Sequence, residues 1–498
     1  MVTTGRGRVS VQRVGPTLRA DPRRTILRPF LPGAELVSVG LSRAESVIGR
    51  VLSLSDEEVS QTLPPLVRSL SARHPEARAV FDEHADQADL EAGRLTPERR
   101  ELLGAFLTQE YAVEAAAILN PSIVPHPDQS GLAADELRFV LTVRAIGEGH
   151  ISSLEFRTGV VGGQGQVRMD AVGPQLVRPS VSAEGWPADY LRHAVRAAGG
   201  DVRGLAALAD GSDAATGTGR TLTTEQVDAV LQRLQRDGAA PDLLHQVRLA
   251  VESRYVARFR ADSTVAERVL FPVSSAERSG VEDVRLVPFA EDGSLPTEYR
   301  GTYTAYDGAV VTSHLLSTTD FRTFTASRLF GPAARDKGMA LFPRRVSGQL
   351  LSVARRDREA LVLGTSPDGD WWDDLGLLQR PRRAWEAVQL GTAAPPLATS
   401  EGWLVITHGV GAVRHYALGA MLLDVDDPLR VRGVLTEPLL VPTEEERIGY
   451  VPNVVYTCGA LLHGDLLVMP YACSDAFIRF AVLPLEPLLD RLRRSPSR

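Results

Sequence analysis

Tyr299-Arg-Gly-Thr-Tyr-Thr-Ala-Tyr-Asp-Gly308 reads as a β-strand: a turn glycine leads an alternating run that ends on a polar residue. The plan recurs in Gly348-Gln-Leu-Leu-Ser-Val-Ala-Arg355, Gly402-Trp-Leu-Val-Ile-Thr-His408 and Gly464-Asp-Leu-Leu-Val-Met-Pro-Tyr471, and the leading glycines are spaced by 47, 54 and 62 residues. The run Leu137–Ala145, with Arg144 near its end, supplies a fifth unit. A period of roughly 50 residues with several strands per unit is the sequence mark of a β-propeller. The chain is therefore expected to be mainly β, a five-bladed β-propeller. On that plan the strand ends Arg144, Asp307, Arg355, His408 and Asp475 converge on one central pocket.

Just before the opening stretch lies Gly280-Val-Glu-Asp-Val-Arg285. Side chains of a regular strand alternate between faces, so Asp283 and Arg285 can share a cavity while Glu282 and Asp283 cannot. Asp283 is the lead candidate for acid catalysis, against the alternative of a structural ion pair with Arg285.

Working outward, two helical stretches flank or interrupt the strands. Leu41 to Ile118 has helical periodicity, with Thr96-Pro-Glu as a helix start. Trp186 to about Asp262 is again helical, as in Thr224-Glu-Gln-Val-Asp-Ala-Val-Leu, around a Gly/Ser/Thr-rich loop at Asp210–Thr221. The expected division is a tail and helical region at 1–118 and a propeller domain at 119–498 carrying a helical insertion at about 186–262. The first two dozen residues, rich in Arg, Gly and Thr, are expected to be mobile.

Composition bounds the function. The net charge of −7 over 498 residues, with both signs mixed, argues against nucleic acid or an anionic membrane as partner. Neither a signal-peptide core nor a run of about 20 apolar residues is present, which points to a soluble, cytoplasmic protein. Cys458 and Cys473 are too few for a disulfide scaffold and lack metal-ligand spacing, so no metal is expected. The 55 basic residues include a single lysine, Lys337. That skew reflects an Arg-favouring codon bias; Lys337 is either a chance survivor or a position that wants a compact ammonium.

Taken in order, Gly280–Arg285, Tyr303-Thr-Ala-Tyr-Asp307, Thr318-Thr-Asp-Phe321, Leu341-Phe-Pro343, Pro395-Pro396, Gly402-Trp403, His408-Gly-Val410, Gly419–Asp424 and Val451–Val455 resemble glycoside hydrolase family 130, the β-mannoside phosphorylases and mannosidases. The resemblance runs from Asn120 onward, with helical additions similar to those of a longer subgroup. It implies a five-bladed propeller that cleaves β-mannosides with inorganic phosphate and inversion, giving α-mannose 1-phosphate. By motif position, Asp283 matches the catalytic acid, which acts through a sugar hydroxyl. Asn120, Arg144, Arg285, Asp307 and Asp475 fall to substrate binding, and Lys337, Arg355 and His408 to phosphate. No cofactor is implied beyond phosphate as co-substrate. The partner is a β-mannoside oligosaccharide or mannosyl disaccharide. The helical additions are expected to shape the acceptor side or a homo-oligomer contact. Two departures matter: Gln389 stands where a lysine of the phosphate cluster is expected, and Thr407 stands where a tyrosine often precedes His-Gly. The alternative is an inverting β-mannosidase in which Glu386 or the run Glu444-Glu445-Glu446 activates water. A sugar-binding propeller without turnover is the third reading.

Overall fold

Five groups of antiparallel strands carry most of the chain. The structure is a computed structural model that describes residues 9–30, 36–38, 41–86, 95–183, 185–202, 221–291 and 295–495. The first group runs Ala117–Pro125, Leu137–Ile146 and Ser152–Val161; the second Gly280–Phe289, Glu298–Tyr306, Val311–Thr318 and Thr323–Arg328. A single parallel pair, Gly280 with Ser152, joins these two into one larger sheet. The third runs Ala340–Leu341, Leu350–Arg356, Ala360–Ser366 and Asp373–Gln379; the fourth Gln389–Thr392, Gly402–Val410, Tyr416–Leu423 and Val431–Val434. The fifth takes Val455–Tyr456, Leu466–Cys473 and Phe477–Pro484, and its outer strand is Gln12–Arg19 from the other end of the chain.

Apolar side chains on the sheet faces explain how the groups stack. Phe156 and Val140 of the first group meet Leu286 and Tyr303 of the second. Phe289 and Val287 meet Ala354 and Val362 of the third. Val353 and Leu363 meet Val405 and Trp403 of the fourth. Leu404 and Leu422 meet Leu467 and Met469 of the fifth. Finally Val468 and Phe480 of the fifth meet Phe139 and Leu141 of the first. Each group thus buries apolar surface against two neighbours, and the main stabilising force is distributed around the assembly.

The N-terminal stretch departs from expectation. Residues 1–8 lie outside the described residues, but Gln12–Arg19 and Thr25–Pro29 are strands, and the first of these pairs with Phe477–Pro484 from Gln12↔Val482 to Arg19↔Phe477. The outer edge of Phe477–Pro484 offers unpaired backbone groups, and pairing them outweighs the weak local propensity of a Gly- and Arg-rich segment. The stretch is anchored by a buried charge cluster. Arg24 donates to Glu155 at 2.6 and 2.8 Å and sits 3.0 Å from Glu114, while Arg157 contacts both carboxylates. Burial, followed by the neighbouring Glu155, pushes Glu114 up to about 7.

The helical readings are refined at their ends. Four helices, Arg43–Leu52, Asp56–Leu70, Ala77–Asp86 and Pro97–Phe106, fill the first helical stretch, which gives way to strands at Thr108–Ala112 and Ala117–Pro125 before the expected boundary at 118. Thr96 caps the last helix by accepting from the Arg99 N–H. The insertion holds Ala188–Ala197, Thr224–Arg236 and Pro241–Glu252, and Thr223 with Gln226 forms a reciprocal capping box. Of the loop Asp210–Thr221, only Thr221 falls within the described residues. Trp186, Tyr190, Val195 and Val247 form the insertion's own core, which packs on Phe330 next to the second group's outer strand.

Arg24→Ala leaves Glu114 and Glu155 buried with one cation fewer. It is expected to cost roughly 3–5 kcal/mol in urea unfolding at neutral pH. A change below about 0.5 kcal/mol would show that the N-terminal strands are held by something else.

Candidate active site

One cavity of about 200 Å³ collects residues from all five groups. Asn120 comes from the first strand of the first group and Arg144 from its second; Asp283 and Arg285 from the second group; Lys337 from the loop that leads into the third and Arg355 from the third itself; Gln389 and His408 from the fourth; Tyr456 and Asp475 from the fifth. Gly338, Arg414, Tyr416 and Val454 complete the lining.

Local backbone irregularity aims the acidic side. The pairing of Gly280–Phe289 with Glu298–Tyr306 slips between Glu282 and Arg285, and Asp283 has φ +55°. Asn120 has φ +48° at a matching slip between Leu119 and Ser122, and Asp475 has φ +49°. Asp and Asn tolerate the left-handed region better than other non-glycine residues, and such conformations gather at functional sites. The bulge also overturns the strict alternation expected for Glu282 and Asp283. Both reach Arg144, whose guanidinium donates to Glu282 at 2.6 Å and to Asp283 at 3.2 Å. Asn120 Nδ2 donates to the same Asp283 oxygen at 2.6 Å, and Arg144 Nε is steadied by Ser152 Oγ at 2.9 Å.

These contacts set the charge states. Burial pushes the Asp283 carboxyl up, but Arg144, Arg285 and Lys337 together with the Asn120 amide outweigh it and hold it at about 2. Asp475 is the reverse case: burial raises it to about 6 against a weaker pull from Arg144. Glu282 is also raised, chiefly by burial.

The opposite charge gathers in the rest of the lining. Arg285 donates to the Asp283 backbone carbonyl at 2.9 Å and to Tyr456 Oη at 2.6 Å, yet its buried Nε has no hydrogen-bond partner among the described residues. Arg355 Nε is likewise unpaired, and burial lowers that guanidinium's pKa. His408 falls to about 3 through burial, then Arg355 and Arg285, and is neutral at physiological pH. The Gln389 amide lies 3.3 Å from its Nε2, and the Tyr456 ring meets the imidazole edge-on at 4.8 Å. Lys337 is exposed, with Nζ 3.8 Å from Glu282. Buried N–H groups left unpaired beside cationic side chains make a cradle for a polyanion.

Of the nine residues singled out from sequence, eight line this cavity, and Asp307 does not. It lies past the last ladder pair, Gly280↔Tyr306, where its Oδ1 accepts from the N–H groups of Ala309 and Val310 at 2.8 and 2.7 Å. Asp307 is thus a turn cap, a common task for Asp after a strand. The glutamates considered for water activation are elsewhere too. Glu386 is buried and accepts from the Arg382 and Arg383 N–H groups, and Glu446 binds Arg13, Tyr471 and Arg479. Tyr416, Tyr456 and Arg414 were missed. Only the nearness of Tyr456 to the Val451–Val455 motif could have pointed to it.

A pocket that sets two aspartates among four arginines and a lysine, with neutral polar groups at hand, suits a polar, oxygen-rich substrate together with an anion. Residues 255–494 match the family model described as beta-1,4-mannooligosaccharide phosphorylase, that of glycoside hydrolase family 130. The 1,2-beta-oligomannan phosphorylase of Thermoanaerobacter sp. is 32% identical over 154 residues, 31% of this chain and 52% of that protein. The Beta-1,4-mannooligosaccharide phosphorylase of Ruminococcus albus is 31% identical over 195 residues, 36% of this chain and 57% of that protein. The chain thus spans little more than half the length of these relatives. A solved structure of the Listeria innocua Beta-1,2-Mannobiose phosphorylase with beta-1,2-mannobiose superposes over 76% of this chain and 93% of its own, at 19% identity and a TM-score of 0.44.

Because its folded pKa is raised, the stability Asp475 contributes is fully present below pH of about 3.8 and is lost as pH rises through about 6. Asp475→Asn should therefore flatten the fall in unfolding free energy between pH 4 and 7, by on the order of 2 kcal/mol after allowing for partial exposure. Parallel pH profiles for the two proteins would contradict the raised value.

Proposed function

We propose that the protein is a β-mannoside phosphorylase that uses inorganic phosphate to cleave its substrate with inversion, releasing α-mannose 1-phosphate. The observation that carries the reading is the shared cavity of Asp283 with Lys337, Arg355 and His408. The family and the phosphorylase names of the relatives support the same reaction class. We also read the five strand groups as blades of a five-bladed propeller. Support comes from the five apolar contacts linking consecutive groups and the last to the first, and from Gln12–Arg19 completing the fifth.

In this reading Asn120, Arg144 and Asp475 hold the mannosyl unit, while Lys337 and Arg355 hold phosphate with His408 as a neutral hydrogen-bonding neighbour. A phosphate oxygen forms the new bond to the anomeric carbon from the face opposite the leaving oxygen. The old C–O bond breaks as it forms, and the leaving oxygen takes a proton that traces to Asp283 through a sugar hydroxyl. Phosphate needs no base to become a nucleophile, so one acid suffices where an inverting hydrolase needs two carboxyl groups. Without phosphate, Asp283 is held as a carboxylate by Arg144, Arg285 and Lys337. Entry of an anion beside Lys337 and Arg355 offsets that positive field and raises the carboxyl's proton affinity. Asp283 takes up a proton from solvent as phosphate enters and passes it on through the sugar hydroxyl during cleavage. Free, buried Cys458 and Cys473 suit the reducing and phosphate-supplied cytoplasm as the place of action. Among the described residues no helix is long and apolar enough to cross a membrane.

Incubation with short β-mannosides should give mannose 1-phosphate only when phosphate is present. Free mannose formed at the same rate without phosphate would mean hydrolysis. Asp283→Asn, nearly isosteric, should remove nearly all turnover while the protein stays folded; more than about a tenth of the wild-type rate would exclude Asp283 as proton donor. Lys337→Ala should raise the phosphate requirement roughly ten- to hundredfold, the worth of one charge-assisted contact, and leave mannoside binding nearly unchanged. An unchanged phosphate requirement would remove Lys337 from the cradle.

A further inference from the structure

A second cavity, of about 270 Å³, is built where the inserted helices meet the second and third strand groups. Arg196, on the last turn of Ala188–Ala197, enters from the insertion; Arg328 ends the strand Thr323–Arg328; Arg335 comes from the loop after Phe330; and Trp371 backs the lining. Among the described residues no Asp or Glu lines this cavity. The Arg196 guanidinium carbon lies over the Trp371 ring, 3.9 Å from its centre, a cation–π contact that holds the cation and occupies the indole face. Arg328 has Gln246 Oε1 at 3.4 Å and the Phe330 ring at 5.7 Å as its side-chain neighbours, and burial lowers its pKa. Among the described residues none of these three arginines forms an ion pair.

Three arginines thus line one cavity, one of them largely desolvated, with no carboxylate partner among the described residues. Such an arrangement is stabilised when an anion enters, and guanidinium forks match the geometry of phosphate oxygens. The backing Trp371 already carries Arg196 on its face, so the space suits a compact anionic head more than a stacked sugar ring. The site is separate from the catalytic cavity, yet one loop serves both. Arg335 lines the second cavity and Lys337 the first, and Asp336 between them is tied down, its carbonyl accepting from Ser313 Oγ at 3.1 Å and its carboxylate from the Arg358 N–H at 2.9 Å.

We propose that Arg196, Arg328 and Arg335 form a second anion site that binds a phosphoryl group, either as inorganic phosphate or as the phosphate end of a sugar phosphate. The insertion then has a binding role, since it contributes Arg196.

The test is equilibrium dialysis of the full-length protein in chloride buffer, with radiolabelled inorganic phosphate in one arm and α-mannose 1-phosphate in the other. Two phosphoryl groups should bind per wild-type chain. Arg196→Gln with Arg335→Gln, both exposed and so safe for folding, should weaken one of the two sites about tenfold or more and leave the other intact. Lys337→Ala should weaken the opposite one, which separates this site from the catalytic cradle. The arm that binds the arginine site more tightly identifies the natural source. A wild-type stoichiometry of one, with binding sensitive to Lys337→Ala alone, would overturn the proposal. So would two sites that both survive the double arginine change within twofold.

Discussion

The contact of Asp283 with Arg144 and Asn120 is the constraint on which the site depends, and a backbone irregularity makes it. In an unbroken strand Glu282 and Asp283 would face apart. The bulge at Asp283 turns both toward Arg144, so one guanidinium bridges two adjacent carboxylates. Asn120, in its own left-handed conformation on the neighbouring group, closes the contact from the other side. Each piece costs folding energy: two non-glycine residues with positive φ and several buried charges. The apolar contacts around the five groups supply the rigidity that holds these arrangements in place.

Much of this was legible in the sequence, for reasons that differ by residue. The strand units around Gly301, Gly348, Gly402 and Gly464 were visible because a turn glycine followed by an apolar run is a local signal. Arg144, Arg355, His408 and Asp475 were found because they sit at or beside the polar ends of such units. Asp307 was misassigned by the same rule, because its strand runs on to Tyr306 before turning and leaves Asp307 in the turn. The N-terminal strand was invisible: its partner lies more than 450 residues away, and nothing local in an Arg- and Gly-rich segment announces the pairing. The bulge at Asp283 could not be read either, since Glu-Asp-Val-Arg satisfies the rules of an ordinary strand.

The departures at Gln389 and among the glutamates bear on how the cavity treats water. Gln389 sits beside His408, where the family resemblance leads one to expect a lysine, while Lys337, Arg355 and His408, the residues proposed for phosphate, line the same cavity. Glu386 and Glu446 are spent on loop and ion-pair contacts away from the cavity. Asp475 is the carboxyl with a pKa near neutrality in the lining, and it lies next to the Arg144 side. In the proposed reading this balance of charge favours an anionic nucleophile over an activated water.

The proposed linkage between phosphate and the proton on Asp283 can be measured directly. In protein labelled with ¹³C at the Asp side-chain carboxyls, the resonance absent from Asp283→Asn reports the titration of this group. Without phosphate it should titrate at about 2, held down by Arg144 and Arg285. With saturating phosphate its midpoint should move up by at least about one unit. A midpoint already near neutrality without phosphate, or one that phosphate does not move, would contradict the coupling between the cation cluster and the acid.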